Sequence, residues 1–452
     1  MSPAQEQQVG AQEHQNIAKT YQIQETGYPV QDYVRSVGNI VARNTERPDV
    51  RYKFYVLDTP DVNAFALPGG YVYVTRGLLA YANSEAELAG VLGHEIGHIT
   101  ARHSAERYSR AVLTSLGAAV VSAALDSSTA SQALGVGSDL YIKSYSRGQE
   151  HEADQLGIRY LYRNGYDPMA MSSFLTNLNA HTKLENLVQG RGEGREVDNY
   201  FSTHPQTGDR INQTIAQAGQ YGRGADKVGR IPYLKAIDGI VYGDSAREGF
   251  LRDHQFIHTD IGFTFEIPDG FTLLNQKTQI VASHSNGTVI IVDSASNPNS
   301  ISAYNFLREV WMKGETVDNP ERVTVNGMNA ATASFQGKVN GRNATVRLMA
   351  IEWSPTTIFR FQIAIPRGAS PQLVEGLKTT TYSFRRLTAK EKRDIKPYRL
   401  RVVTALEGDT VASLAARMPV DDFSLDRFRV LNGLGKNDPV IAGQQYKIIS
   451  AN

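Results

Sequence analysis

His94-Glu95-Ile96-Gly97-His98 sets two imidazoles one helical turn apart with a carboxylate between them. Residues i and i+4 share one face of an α-helix, so both rings can reach a single Zn²⁺. Glu95 sits one residue along, where it can take a proton from a water held at the metal. The chemistry this implies is metal-assisted hydrolysis. The preceding text, from Ser84 to Gly93, opens with a Ser cap, acids in the first turn and Glu87 at the capping-box position. The motif therefore lies on a helix.

A catalytic zinc takes three protein ligands and keeps one position open. A third His beyond His98 in the same run is ruled out, because Ala101 and Ser104 occupy the positions it would need. His103 is off register and reads as a solvated helix residue. A later helix offers carboxylates instead, in Ser146-Arg147-Gly148-Gln149-Glu150-His151-Glu152-Ala153-Asp154. Glu150 and Asp154 share one face of it, while Glu152 points away. Glu150 as ligand and Asp154 as acceptor for a ligand imidazole N–H suit a zinc site, and a solvated acidic helix is the plainer alternative.

Together these segments resemble the HtpX/BepA/Oma1-type zinc metallopeptidases, relatives of the CAAX prenyl proteases. Two further segments carry the likeness: Asp61-Val62-Asn63-Ala64-Phe65-Ala66-Leu67-Pro68-Gly69-Gly70, and Ser202-Thr203-His204-Pro205 followed by Arg210. The resemblance covers roughly the first half of the chain and implies zinc-dependent peptide hydrolysis. It implies one Zn²⁺ on His94, His98 and Glu150, with Glu95 as general base and then proton donor to the leaving amine. It also implies that an edge strand through Asn63, Ala64 and Phe65 aligns an extended substrate by backbone pairing. His204 has two roles under it: stabilising the oxyanion, or filling the fourth zinc position and holding the enzyme latent. Arg210 enters as a further catalytic candidate, with a surface pairing to Asp209 as its alternative.

The elements that must position these residues follow from composition and pattern. At 452 residues the chain calls for two or three domains. Lys+Arg 47 against Asp+Glu 46 leaves no basic field for nucleic acid, and the lack of cysteine excludes disulfides and thiol catalysis. The uncharged run Ala111–Leu125 is shorter than the ~20 residues a membrane span requires. Its Ala, Gly and Ser content suits close helix packing, with a lid or membrane-touching helix as the alternative. The start, Met1-Ser2-Pro3-Ala4-Gln5-Glu6, carries no signal peptide and reads as a mature or truncated beginning of an exported protein.

The expected fold is multidomain α+β. Residues 1–235 form a mainly helical zinc domain with a small β-sheet. Residues 236–392 form an antiparallel α+β domain, on alternating runs such as 261–268, 347–353 and 358–365 and an Asn326-Gly327 hairpin. This segment resembles the PsbP/Mog1-like folds and reads as a binding domain or spacer. Residues 393–452 run β-α-α-β, and Gly408-Asp409-Thr410, Leu431-Asn432-Gly433-Leu434 and Gly443-Gln444 resemble a LysM module, which implies peptidoglycan as a partner.

The function expected is an endopeptidase for misfolded or stalled polypeptides in the periplasm or cell envelope. The alternatives are an outer-membrane assembly factor or chaperone, engaged with that assembly machinery, and a cell-wall-binding protein with a latent zinc site.

Overall fold

The computed structural model describes residues 1–24, 26–110, 145–188, 200–205, 209–222, 224–276, 278–339, 341–420 and 423–451. The run Ala111–Leu125, read as a closely packed helix with a lid or membrane-touching helix as the alternative, lies outside them. The chain divides into two compact units, Met1–Gly243 with Tyr398–Asn452, and Asp244–Pro397.

The first unit is built on a three-stranded sheet of order β1-β3-β2: β1 Lys53–Leu57, β2 Ala64–Leu67 and β3 Tyr71–Thr75. β1 runs parallel to β3, and β2 antiparallel to it. Alternation decides what each face meets. Phe54, Val56, Ala64, Ala66, Val72 and Val74 join one core cluster, while Leu57, Phe65, Leu67, Tyr71 and Tyr73 join another with Ile17 of helix α1 (Pro3–Thr20). The first cluster also takes in α2 (Pro29–Ala42), through Val30, Val34, Val37 and Val41.

Helix α3 (Arg76–Tyr81) leads into α4 (Glu85–Thr100), whose residues 85–99 are all buried. Ser84 caps α4 by accepting from the Glu87 N–H at 3.1 Å. The Glu87 carboxylate reaches one residue past the expected box, accepting from the Asn83 N–H at 2.7 Å. α5 (Arg147–Arg163) opens with a full capping box of Ser146 and Gln149. α4 and α5 cross through glycines: a Cβ on Gly93 would stand 3.3 Å from Gly157 Cα, and one on Gly97 would stand 3.1 Å from the Ala153 carbonyl oxygen. Close approach at this crossing brings the histidines of α4 to the carboxylates of α5. Helices α6 (Ala170–Val188), α7 (Tyr200–Thr203), α8 (Arg210–Ala218) and α9 (Arg230–Ile237) also belong to the N-terminal part of the unit.

Of the segment 393–452, read from the sequence as a module of its own, residues 398–452 fall in this same compact body. Strands Arg399–Thr404 and Gln445–Ser450 pair antiparallel, with helices Val411–Ala415 and Ser424–Asn432 between them, in the order read from the sequence. Leu400, Leu414, Phe428 and Ile449 share the cluster that holds Leu88 and Leu92 of α4. Fully buried Lys447 donates to the Ala80 and Ala82 carbonyls, each at 2.7 Å, and so caps the end of α3. Burial favours neutral forms here, lowering the Lys447 ammonium well below its usual range and raising Glu87 to about 7.

The second unit carries a seven-stranded antiparallel sheet and a four-stranded one. The long hairpin strands Met328–Val339, Arg342–Ser354 and Thr357–Pro366 contain two of the alternating sequence runs. The expected turn joins Val325 to Met328, with Asn326 at φ 46° and Gly327 at φ 80°, the left-handed pair that this two-residue loop demands. One core of the unit includes Leu377 of helix Pro371–Tyr382, and another holds Ala303, Phe306 and Leu307.

Candidate metal centre

His94 and His98 lie on α4, Glu150 and Asp154 on α5, and His204 just after α7. One ligand atom from each of His94, His98, Glu150 and His204 falls within 4.8 Å of the others, and all four residues are buried. His94 Nε2 stands 3.1 Å from His98 Nε2 and 3.2 Å from His204 Nδ1. Glu150 Oε1 lies 3.0 Å from His204 Nδ1 and 3.4 Å from His98 Nε2.

The partners on the far side of the His94 ring decide what its inward nitrogen carries. His94 Nδ1 is 2.8 Å from Asp154 Oδ1. Burial pushes that carboxyl up, but the Arg210 guanidinium overrides it and holds it at about 2, so Asp154 is ionised and accepts. Asp154 thus holds an N–H on His94 Nδ1, which in a neutral imidazole leaves the Nε2 lone pair directed at the cluster. Ring nitrogens and a carboxylate that converge in a buried space form a donor set able to hold a cation. Nitrogen and carboxylate donors of this kind fit zinc.

Glu95 is fully buried beside the cluster. Among the described residues neither of its oxygens accepts a hydrogen bond, and His204 Nε2 stands 3.5 Å from Oε1. Burial raises its carboxyl above the usual range. A buried, unbonded carboxylate next to a cation site is suited to taking a proton. Glu150 is pushed up by burial yet held well below the usual range by His204 and Arg210.

Arg210 is buried, where a surface pairing with Asp209 was the alternative. Nη1 lies 2.8 Å from Glu150 Oε2 and donates to the His204 carbonyl at 3.2 Å, so the guanidinium ties the carboxylates of α5 to the His204 loop.

β2 is the edge of its sheet, but its outward groups are engaged. The Ala64 N–H donates to Asn63 Oδ1 at 2.8 Å, the Ala64 carbonyl lies 3.3 Å from His204 Nε2, and the Ala66 carbonyl accepts from Ser104 Oγ at 3.2 Å. Phe65 departs from the expected substrate edge. Alternation turns its backbone towards β3, and its ring stacks on Tyr73 at 4.8 Å in the core.

Two further residues stand close to this set. His103 Nδ1 is 2.9 Å from His98 Nδ1, and His103 Nε2 is 3.3 Å from Glu152 Oε2. Tyr145, not singled out in the sequence, stacks on the His98 ring at 3.7 Å.

Two closely packed helices presenting a His-His-Glu set, with a buried glutamate beside it, define a metallopeptidase-type centre. Residues 30–217 match the model of peptidase family M48, and this segment of the chain is an M48 peptidase domain. Among curated proteins, the chain is 37% identical over 155 residues to the beta-barrel assembly-enhancing protease of Yersinia pestis, covering 32% of each. It is 32% identical over 197 residues to that of Escherichia coli K12, covering 42% of this chain and 39% of the relative. It is 35% identical over 170 residues to the mitochondrial metalloendopeptidase OMA1 of Arabidopsis thaliana, covering 37% of this chain and 32% of the relative. The chain thus spans well under half the length of these relatives. Solved structures with partial likeness include PsbP from Synechocystis, at 13% identity and TM-score 0.23, covering 30% of this chain and 96% of that one. The Saccharomyces cerevisiae Ran-binding protein Mog1p stands at 14% and 0.23, covering 31% and 98%. Likeness at that level carries no statement about either unit.

Proposed function

We propose that this chain is a zinc-dependent endopeptidase acting on misfolded or stalled polypeptides in the bacterial cell envelope. The observation that carries the reading is the buried convergence of His94, His98 and Glu150 beside the unbonded carboxylate of Glu95. A zinc ion there, when bound, supplies a Lewis acid that acidifies water and polarises a carbonyl. His94, His98 and Glu150 hold it. Glu95 accepts the proton and passes it to the leaving amine. Asp154 and Arg210 orient: the first fixes the His94 tautomer, and the second holds Asp154 and Glu150 in place, a positioning role rather than the catalytic one expected for Arg210. An extended peptide pairs with the outward backbone of Ala64 on β2, and Asn63 shapes that edge. Cleavage of an unfolded protein that a chelator abolishes and added Zn²⁺ restores is the expected result. Chelator-insensitive cleavage would remove the metal from the account.

His204 favours a second, regulatory layer. Its Nδ1 lies in the ligand cluster and its Nε2 faces the Ala64 carbonyl, so one imidazole takes a ligand position and occupies the substrate edge together. This arrangement is a latent state, from which His204 must leave before a substrate strand can pair. The relatives named for enhancing β-barrel assembly suggest outer-membrane assembly as the setting, with an assembly-factor or chaperone role as the alternative to proteolysis. No described helix is long and apolar enough to cross a membrane. A LysM-like role for residues 393–452, binding peptidoglycan, and a binding or spacer role for residues 236–392 complete the proposal.

A further inference from the structure

His103 follows α4 without belonging to it. The helix ends at Thr100, and Arg102 turns the chain back with a left-handed backbone, φ 62°, which is uncommon for a residue with a Cβ. That reversal swings the His103 ring against His98, Nδ1 to Nδ1 at 2.9 Å. Its other nitrogen, Nε2, meets Glu152 Oε2 at 3.3 Å. Glu152 lies on α5 between Glu150 and Asp154 in sequence, points away from their face as expected, and is exposed, and from there it meets His103.

The donor and acceptor roles follow from the Glu152 end. An ionised carboxylate accepts, so the His103 proton sits on Nε2. The other nitrogen of a neutral imidazole then accepts, and the proton between the two rings belongs to His98 Nδ1. What remains on the far side of His98 is a bare Nε2, 3.1 Å from His94 Nε2 and 3.4 Å from Glu150 Oε1. Tyr145 stacks on the His98 ring at 3.7 Å and an interplanar angle of 11°. Stacking fixes the plane of the ring but does not choose its tautomer.

We propose that His103, held by Glu152, is a positioning residue that acts through His98, fixing the tautomer that turns the Nε2 lone pair towards the metal. The proposal rests on the reading of the cluster as a zinc centre. It makes α5 the source of three separate services: Glu150 binds, Asp154 sets His94, and Glu152 sets His98 by way of His103. The two histidines of α4 thus receive different orienting groups, a carboxylate for one and a carboxylate-backed imidazole for the other.

The test is Zn²⁺ affinity of the full chain, measured by competition with a chromophoric chelator, with circular dichroism to follow folding. His103→Leu is expected to bind zinc roughly 10–100-fold more weakly with its helical signal kept. His103→Asn places an amide oxygen near the original Nδ1, accepts from His98, and is expected to recover most of that loss. Native affinity in His103→Leu, or equal losses in the two variants, would overturn the proposal. If His103→Leu fails to fold, Glu152→Ala at an exposed carboxylate decides: weaker zinc binding supports the role, and unchanged binding overturns it. A native chain that binds no zinc removes the metal centre and this inference together. Native binding with insensitive variants removes the role of His103 alone.

Discussion

Arg210 grips Asp154 through two near-parallel hydrogen bonds, Nε to Oδ2 at 2.7 Å and Nη2 to Oδ1 at 2.8 Å, in a pair closed off from solvent. Forked pairing of this kind fixes direction as well as charge. Arg210→Leu would leave Asp154 and Glu150 buried without their cation, and should lower stability by about 3–5 kcal/mol in denaturant unfolding at neutral pH. Arg210→Lys cannot reproduce the fork and should recover little of it. The sign of the pH dependence follows from Asp154, whose carboxyl is held at about 2 against 3.8 ordinarily. A depressed folded value stabilises above the unfolded one and is lost as pH falls through the folded one. The gap between native chain and Arg210→Leu should therefore narrow below about pH 4, and a gap that stays constant down to about pH 2 would contradict this.

His204 separates two accounts of the same site. If it holds the enzyme latent, His204→Ala should cleave an unfolded protein faster than the native chain. If it stabilises the oxyanion, the same variant should lose about 10²–10³ in turnover. Steady-state rates on casein distinguish them, and unchanged turnover with unchanged zinc affinity would remove both roles.

The crossing of α4 and α5 depends on small residues. A Cβ on Gly97 would stand 3.1 Å from the Ala153 carbonyl oxygen and 3.2 Å from its Cα, both backbone atoms with little room to give. Gly97→Ala should cost about 1–3 kcal/mol of stability and weaken zinc binding with it, because the two ligand helices are forced apart. Unfolding midpoints and zinc titration check this; full stability with native zinc affinity would show that the crossing tolerates a methyl group.

A buried imidazole elsewhere in the first unit sets an acid limit. His181 packs on Tyr81 at 3.9 Å, and burial, aided by Arg427, lowers it to about 3 from 6.5. The unfolded chain binds the proton first, so stability falls as pH drops from 6.5 towards 3. The slope of that fall approaches about 1.4 kcal/mol per pH unit for one such group. His181→Gln should flatten the stability profile across that window, and parallel profiles would assign the acid sensitivity to other groups.

Much of the site was legible because its chemistry is tied to helical spacing. His94, Glu95 and His98 share one helix, and Glu150 and Asp154 share a face of another, so sequence distance translates directly into geometry. His103 broke that rule: Arg102 adopts a left-handed backbone without a glycine to announce it, and helical register then misplaces the ring. Glu152 does point away from Glu150 and Asp154, but its partner His103 comes from outside its own helix, so helical spacing could not show that contact. Phe65 shows the limit for strands. The segment was read as an edge, but which residues face outward depends on the pairing with β3, which alternation alone leaves open by one residue. The order β-α-α-β at the C-terminus was readable from its turns. Its inclusion in the first compact unit was not, because the bond from Lys447 to the end of α3 joins residues far apart in the sequence.

The measurement that tests the central claim most directly is casein hydrolysis by the zinc-loaded chain beside Glu95→Gln with equal zinc content. The side chains of Glu and Gln fill nearly the same volume, and in the proposed mechanism Glu95 accepts the proton rather than binding the metal. Cleavage by the native chain, a loss of at least ~10² in the variant, and unchanged zinc affinity are expected. Equal cleavage by both proteins would contradict the account.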